Sequence, residues 1–138
     1  MSDRECNKSV QPGKRIGAVS LGDCMDEVVR KLRDRPITWE ERATQRVMYA
    51  PPYRIWFDKD SGIISQISVG KGFRGCFLSC IGIGSTLQEV KSVAGDYRDV
   101  DDAYHLDDYP GICFELEDID DWDEATAPIE FITVFPCD

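Results

Sequence analysis

His105 is the only histidine of the 138-residue chain, which makes it the first candidate for acid–base chemistry. Cys113 follows it in the chain and could act as a nucleophile, because an imidazole beside a thiol is an arrangement that activates cysteine. Nothing in the sequence shows the two side chains to be adjacent, and a cysteine in a strand usually behaves as a small apolar residue. Cys76 and Cys80 have no second pair to complete a zinc site. We therefore predict no catalytic residue, no metal and no cofactor.

Two further segments superficially suggest phosphate or calcium binding. Residues 70–75, Gly-Lys-Gly-Phe-Arg-Gly, have neither the spacing of a Walker loop nor the helix that follows a dinucleotide fingerprint. Residues 70–77 are therefore predicted to be a flexible, basic, glycine-rich connector. Residues 118–124 begin like a calcium loop, but Asp123 stands where that loop requires glycine and Ile129 where it requires glutamate.

Charge is divided unevenly along the chain. Residues 1–95 have a net charge of +4 and residues 96–138 one of −14, within a total of −10. The segment 96–124 contains thirteen acids and a single base, Arg98, and aromatic residues are interspersed among the acids. This pattern is not typical of a disordered polyacid. We predict a folded acidic surface that binds a basic partner, because such a surface speeds encounter and orients the partner.

The residues predicted to contact the partner carry either a carboxylate or an aromatic ring, and they fall in the segments 99–109 and 117–124. Carboxylates can meet lysine and arginine on the partner, while tyrosine and tryptophan supply contact area with few torsions to freeze. The predicted contact residues are Asp101, Asp102, Tyr104, Asp107, Asp108, Tyr109, Glu117, Asp118, Asp120, Asp121, Trp122, Asp123 and Glu124.

The elements that position these acids are indicated by self-similarity within the chain. Residues 19–32 align with residues 81–94 at an offset of 62, which pairs Gly22 with Gly84. Residues 55–58 resemble 112–115, and residues 64–69 resemble 129–134, in the same order. A diverged duplication explains this order, and chance similarity between two helix-plus-strand segments is the alternative.

We predict an α+β fold in which two short helices pack on an antiparallel β-sheet. Apolar residues recur at helical spacing near 24–33 and 86–95, and Thr86 with Glu89 offers a capping box. The fold would be a single domain, 1–138, built from two diverged α-β-β-β repeats at about 16–69 and 78–135. A polar turn ending in Gly62 predicts a hairpin at 57–63. The predicted strands are 46–50, 53–57, 63–69, 103–106, 111–116 and 128–135.

The pattern apolar-x-apolar-Gly-polar-polar-x-x-Glu-Val, present at 19–28 and 81–90, carries a resemblance to known repeats. Together with the following strands it resembles the tandem helix-plus-meander repeats of β-lactamase inhibitory protein and of SmpA/OmlA-like modules. The resemblance implies that fold and, for the inhibitor family, protein binding. In its small size, acidity and lack of a catalytic set, the chain also resembles the bacterial immunity proteins that neutralise nuclease toxins.

Location and function follow as expectations. The first nine residues lack the apolar stretch of a signal peptide, and no run reaches the length of a membrane span, so we expect a cytoplasmic protein with mostly reduced cysteines. We predict a non-enzymatic immunity protein that binds a basic toxin nuclease, with no direct contact to nucleic acid or membrane, since a nuclease groove must be basic to hold phosphates. The alternatives are an exported enzyme inhibitor of the β-lactamase inhibitory protein type and a scaffold domain with a solubilising acidic face.

Overall fold

The computed structural model describes residues 10–137. This part contains two helices, α1 (Met25–Leu32) and α2 (Leu87–Ala94). Its strands are β1 (Val10–Gln11), β2 (Arg15–Ile16), β3 (Val19–Ser20), β4 (Thr38–Glu41), β5 (Gln45–Ala50), β6 (Tyr53–Asp58), β7 (Ile64–Val69), β8 (Tyr97–Val100), β9 (Ala103–Leu106), β10 (Ile112–Leu116) and β11 (Ile129–Val134).

Both helices lie where the apolar spacing predicts them, and their ends differ. Thr86 caps α2 with the predicted capping box, in which its hydroxyl accepts from the Glu89 backbone N–H and the Glu89 carboxylate accepts from the Thr86 backbone N–H. Gly95, at φ 89°, ends this helix. The N-cap of α1 is Cys24, which makes no side-chain capping bond. At eight residues each, neither helix of the described part is long and apolar enough to cross a membrane.

The large sheet has eight strands in the order β4-β5-β6-β7-β11-β10-β9-β8, and every neighbouring pair is antiparallel. The predicted α+β class with two helices and an antiparallel sheet is confirmed. Each helix is followed by four strands, however, rather than by the predicted three. The strands that sequence analysis missed in the large sheet, β4 and β8, are its edges, and their residues are almost all exposed. Because an edge strand needs no buried face, it leaves little hydrophobic alternation to detect.

One core lies between the helices and one face of the sheet. Alternate residues of β6, namely Tyr53, Ile55 and Phe57, are buried there with Val28 of α1 and Val90 of α2. The small sheet β1-β2-β3, which sequence analysis did not predict, contributes Ile16 and Val19 to the same core. We call the opposite side of the large sheet, which presents Arg54 and Trp56, the outer face.

The segment 70–77 differs from its prediction as a flexible basic connector. Phe73 and Phe77 are buried in the core, and the Phe73 ring packs edge-on against Tyr53 with centroids 6.2 Å apart. Glycine and lysine around them gave the segment the composition of a linker, whereas two buried aromatic rings anchor it to the core.

The centre of the large sheet is the junction of β7 and β11. Ser68 and Thr133 are register partners there, and both are buried on the outer side of the sheet. The Thr133 hydroxyl donates to Ser68 Oγ at 3.1 Å, which satisfies polar groups that would otherwise be costly to bury. The sheet is therefore continuous from the first half of the chain to the second.

Candidate binding surface

Strand register brings two acidic segments to one end of the sheet. Phe114 of β10 pairs with Tyr104 of β9, so the end of β10 lies beside the β8–β9 turn. That turn is formed by Asp101 and Asp102, at φ 54° and 68°, a left-handed pair that suits a two-residue hairpin. The long β10–β11 connection, residues 117–128, starts at the same place. We call the following set the acidic surface: Asp99, Asp101, Asp102, Glu117, Asp118, Asp120, Asp121, Trp122, Asp123 and Glu124.

Three of the predicted contact residues do not belong to this surface. Asp107, Asp108 and Tyr109 follow β9 and therefore lie at the opposite end of its strand, about 17 Å from Asp102 at the usual rise per residue. The Tyr109 ring packs edge-on against Phe77, with centroids 5.1 Å apart, and so serves the core. Sequence proximity grouped these residues with the turn, whereas the direction of β9 separates them.

Asp107 is also neutralised within the protein. Its Oδ1 accepts a hydrogen bond from Arg98 Nε at 3.0 Å, across the β8–β9 pair. Asp107 therefore has a cationic partner already, which the carboxylates at the other end of the strand lack. The acids that follow β9 therefore provide a control region, to be compared with the acidic surface at the other end of the strand.

Tyr104 supports the acidic surface from below and does not form part of its exposed area. Its side chain is only 4% exposed, because Tyr104 faces the helices. Burial, followed by the nearby charge of Glu124, raises the pKa of Tyr104 to about 12, so its hydroxyl remains a donor. The alternation of β9 directs most of the ring into the core, so the prediction that Tyr104 contacts the partner stays a prediction for the part of the side chain that lines the cleft beside Trp122.

Glu124 is held in place by two tyrosines. Tyr97 donates to its Oε2 at 3.2 Å and Tyr104 to its Oε1 at 3.5 Å, while the two rings pack edge-on 5.9 Å apart. Sequence analysis did not include Tyr97 or Asp99 among the site residues. Asp99 accepts from the Asp102 backbone N–H at 2.9 Å and so stabilises the turn. The exposed strand β8 has too little hydrophobic alternation to have indicated either residue.

Trp122 is the large exposed apolar group of the acidic surface. Its side chain is 46% exposed and borders a cleft of about 280 Å³. The other residues lining the cleft are Asp102, Tyr104, Leu116 and Asp118. Two carboxylates beside aromatic rings are suited to the ammonium or guanidinium end of a lysine or arginine side chain.

Ion pairing distinguishes this surface from the first half of the chain. There, Glu41 contacts Arg46 at 2.7 Å and Lys59 at 3.3 Å, and Glu40 contacts Arg42 at 3.1 Å. Within residues 10–137, no carboxylate of the acidic surface has a lysine or arginine nitrogen within 4.0 Å. The described part of the chain therefore leaves the charge of this surface uncompensated.

His105 and Cys113, the catalytic pair considered from the sequence, are brought together as cross-strand partners of β9 and β10. Burial lowers the pKa of His105 and raises that of the Cys113 thiol to about 12. A thiol activated for nucleophilic attack has a depressed pKa, so the environment of Cys113 acts in the opposite direction. The His105 ring instead packs at 5.5 Å from Phe135.

The remaining acids and the exposed cysteines form neither a metal site nor a disulfide among the described residues. Over residues 10–137, no group of three or more His, Cys, Asp or Glu side chains is placed to hold a metal ion. Cys24, Cys80 and Cys137 are exposed and form no disulfide among the described residues, whereas Cys6 lies outside them. The predicted absence of a disulfide framework therefore stays a prediction.

Comparisons with known proteins give no match to a family model, to a curated protein or to a solved structure. The resemblance to β-lactamase inhibitory protein and to immunity proteins accordingly stays an expectation from sequence. What the protein does has to be inferred from its own residues and their geometry.

Proposed function

We propose that this protein is a non-enzymatic inhibitor that uses the acidic surface to bind and neutralise a basic protein, most simply a toxin nuclease. The observation that carries the proposal is the uncompensated charge of that surface, contrasted with Glu40 and Glu41 of the first half, which lie in ion pairs. Exposed carboxylates gathered at one end of a sheet create a field that attracts and orients a cationic partner.

A nuclease is the favoured partner class because its substrate groove must carry positive charge to hold phosphates. A folded protein with carboxylates at one end can enter such a groove and exclude the nucleic acid. An immunity protein has this task, since it protects its cell from a nuclease toxin.

Trp122 supplies the apolar contact that charge alone lacks. Interface energy is concentrated in a few anchors, commonly tryptophan, tyrosine and arginine, surrounded by polar rims. Trp122 is exposed beside the cleft that Asp102 and Asp118 line, so an aromatic anchor and a cation-binding cleft are adjacent. In the proposed complex, Trp122 is buried and a lysine or arginine of the partner enters the cleft.

The test is inhibition and binding of a basic nuclease toxin domain, chosen from the genes that neighbour this one where such a domain is encoded there. Trp122→Ala should weaken binding by about 2 kcal/mol or more, mainly through faster dissociation. Asp120→Asn/Asp121→Asn should mainly slow association, and the difference from wild type should shrink as salt is added. Nuclease activity and binding kinetics at low and high salt measure both effects.

The matched control is Asp60→Asn/Asp108→Asn, which removes the same charge from exposed positions outside the acidic surface. Unaltered kinetics in this control, with slowed association in the Asp120/Asp121 variant, would support the acidic surface as the docking site. Equal effects of both double variants would reduce the role of the acids to total charge. Wild-type binding by all variants would leave solubility as the role of the surface.

We also propose that the two halves arose by duplication, which the sheet supports in several details. Each helix is followed by four antiparallel strands, and the halves meet through β7 and β11. Gly22 and Gly84 precede the two helices with nearly equal φ, 92° and 93°. Related sequences would test the proposal, because their two halves should align with each other at these positions.

The strand registers favour a particular alignment of the halves. Ile112 pairs with Val134 as Tyr53 pairs with Val69, and a bulge follows Glu115 as one follows Trp56. Tyr53, not Ile55, is thus the counterpart of Ile112. The sequence match between 55–58 and 112–115 is therefore displaced by one two-residue step, which keeps each side chain on the same face.

A further inference from the structure

Arg54 on the outer face is held by two aromatic rings. Its guanidinium carbon lies 4.7 Å from the centroid of the Phe131 ring and 5.1 Å from that of Trp56. Phe131 can lie there because residue 70 is glycine: a Cβ at Gly70 would approach Phe131 Cε1 to 2.9 Å. The guanidinium is therefore fixed in place before any ligand arrives.

Arg54 lacks the polar partners that such a group normally has. Among residues 10–137 its side chain makes neither a hydrogen bond nor an ion pair, and its Nε is buried without an acceptor. Hydrogen bonds from the Tyr49 hydroxyl at 2.6 Å and from Arg42 at 3.1 Å lower the pKa of Glu40, and the charge of Arg54 adds to this effect without a direct contact among the described residues. Because Arg54 lines an open cleft and its side chain is bonded to no acid of the described part, its guanidinium is available to an external acceptor.

A cleft of about 210 Å³ lies at this position. Its walls include apolar groups, among them Pro52 and Phe131, and the cations Arg54 and Lys71; none of the acids between residues 10 and 137 lines it. In a chain with a net charge of −10, this is a cationic recess with apolar sides. Such a recess is suited to a negative group that is attached to an apolar one.

We infer that this cleft binds a peptide segment of a partner protein in which a carboxylate side chain adjoins an apolar side chain. The carboxylate accepts from Arg54 and Lys71, and the apolar side chain lies between Pro52 and Phe131. Polyanions such as nucleic acid are disfavoured, because the acidic surface occupies the same end of the sheet and repels repeated negative charge. The site is built from residues outside the acidic surface and has the opposite charge preference.

The experiment is an NMR titration of the isotope-labelled full chain with the capped dipeptide acetyl-Leu-Glu-amide. We expect saturable shifts of the Arg54 Nε–H and the Trp56 indole N–H, with a Kd in the millimolar range for so small a probe. The neutral isostere acetyl-Leu-Gln-amide and inorganic phosphate should each bind at least about tenfold more weakly, because each lacks one half of the recognised group.

Two variants and one control test the residues. Arg54→Lys keeps the charge but loses the planar fork, and should weaken the Glu peptide about fivefold or more. Lys71→Gln, at an exposed position, should weaken it a few-fold without disturbing the packing. Arg30→Gln removes one positive charge from an exposed position on α1 and should leave the affinity unchanged.

The result that overturns the inference is the absence of saturable shifts at Arg54 and Trp56 in the folded wild type. Equal binding of the Glu and Gln peptides would overturn it as well, as would equal or tighter binding of phosphate. If both Lys71→Gln and Arg54→Lys kept the wild-type affinity for the Glu peptide, the peptide would bind at a site other than this cleft. None of these results bears on the acidic surface, whose test uses a basic partner and other residues.

Discussion

At the scale of single residues, the environment decides what Cys113 and His105 can do. The two face each other across β9 and β10, so their proximity alone would suggest a nucleophile and a base. Burial raises the pKa of the thiol to about 12, which keeps Cys113 protonated at neutral pH. The pair therefore has the geometry of a dyad without its electrostatics.

We predict that native Cys113 resists alkylation at pH 8. Iodoacetamide requires the thiolate, and with a pKa of about 12 the thiolate fraction is small, so Cys113 should react on the order of 100-fold more slowly than exposed Cys80 or Cys137. Mass spectrometry of timed, quenched samples measures each rate, and denatured protein serves as the control in which all thiols react. Fast alkylation of Cys113 that slows in His105→Ala would instead show an activated thiol.

Sequence alone could not supply these residue environments. The adjacency of His105 and Cys113 depends on which strands pair and in which register, and side-chain types do not specify this. Tyr104 could have been placed in the core, because it alternates with Leu106 on β9. The uneven distribution of charge along the sequence predicted the acidic surface. It could not show that β9 runs away from the β8–β9 turn, which places Asp107, Asp108 and Tyr109 at the far end of the strand.

At the scale of elements, the strength of the local signal accounts for what could be predicted. Helices α1 and α2 each bury one apolar stripe, and the inner strands β6 and β7 are rich in β-branched and aromatic residues, so periodicity located them. The edge strands β4 and β8 and the two-residue strands β1 to β3 have too little buried surface to impose a pattern. Their positions are set by tertiary pairing.

The two helix N-termini allow a matched prediction about capping. Thr86→Ala removes the hydroxyl that accepts from the Glu89 backbone N–H at 3.2 Å, and should lower the free energy of unfolding by about 1 kcal/mol. Cys24 is the corresponding residue of α1 and makes no side-chain capping bond. Cys24→Ala should therefore change the free energy of unfolding by less than about 0.5 kcal/mol. Urea unfolding followed by circular dichroism compares the variants. Similar losses in both would show that the Thr86 bond contributes little.

At the scale of the whole molecule, the clustering of carboxylates on the acidic surface lowers the folding stability. Among the described residues, five acids of the first half lie in ion pairs, whereas no carboxylate of the acidic surface does. Mutual repulsion at such a surface opposes folding, and a protein that needed only solubility could have spread the same charge more widely. Concentrated repulsion is the expected consequence of a surface selected to meet a cationic partner.

This repulsion predicts that sodium chloride stabilises the free protein. Salt at about 0.5 M reduces the screening length to a few ångströms, which relieves repulsion among the surface carboxylates and weakens the exposed ion pairs of the first half. Those pairs each contribute little, since exposed pairs have a median value of about 0–1 kcal/mol, so relief of repulsion should dominate in a chain of net charge −10.

Asp120→Asn/Asp121→Asn should raise stability at low salt by about 0.5 kcal/mol and reduce the further gain from salt, whereas Asp60→Asn/Asp108→Asn should do so less. Urea unfolding of the three proteins at low and high salt measures the effect. Lower stability in high salt would mean that the acids are compensated within the chain, and the proposed need for a basic partner would lose its physical basis.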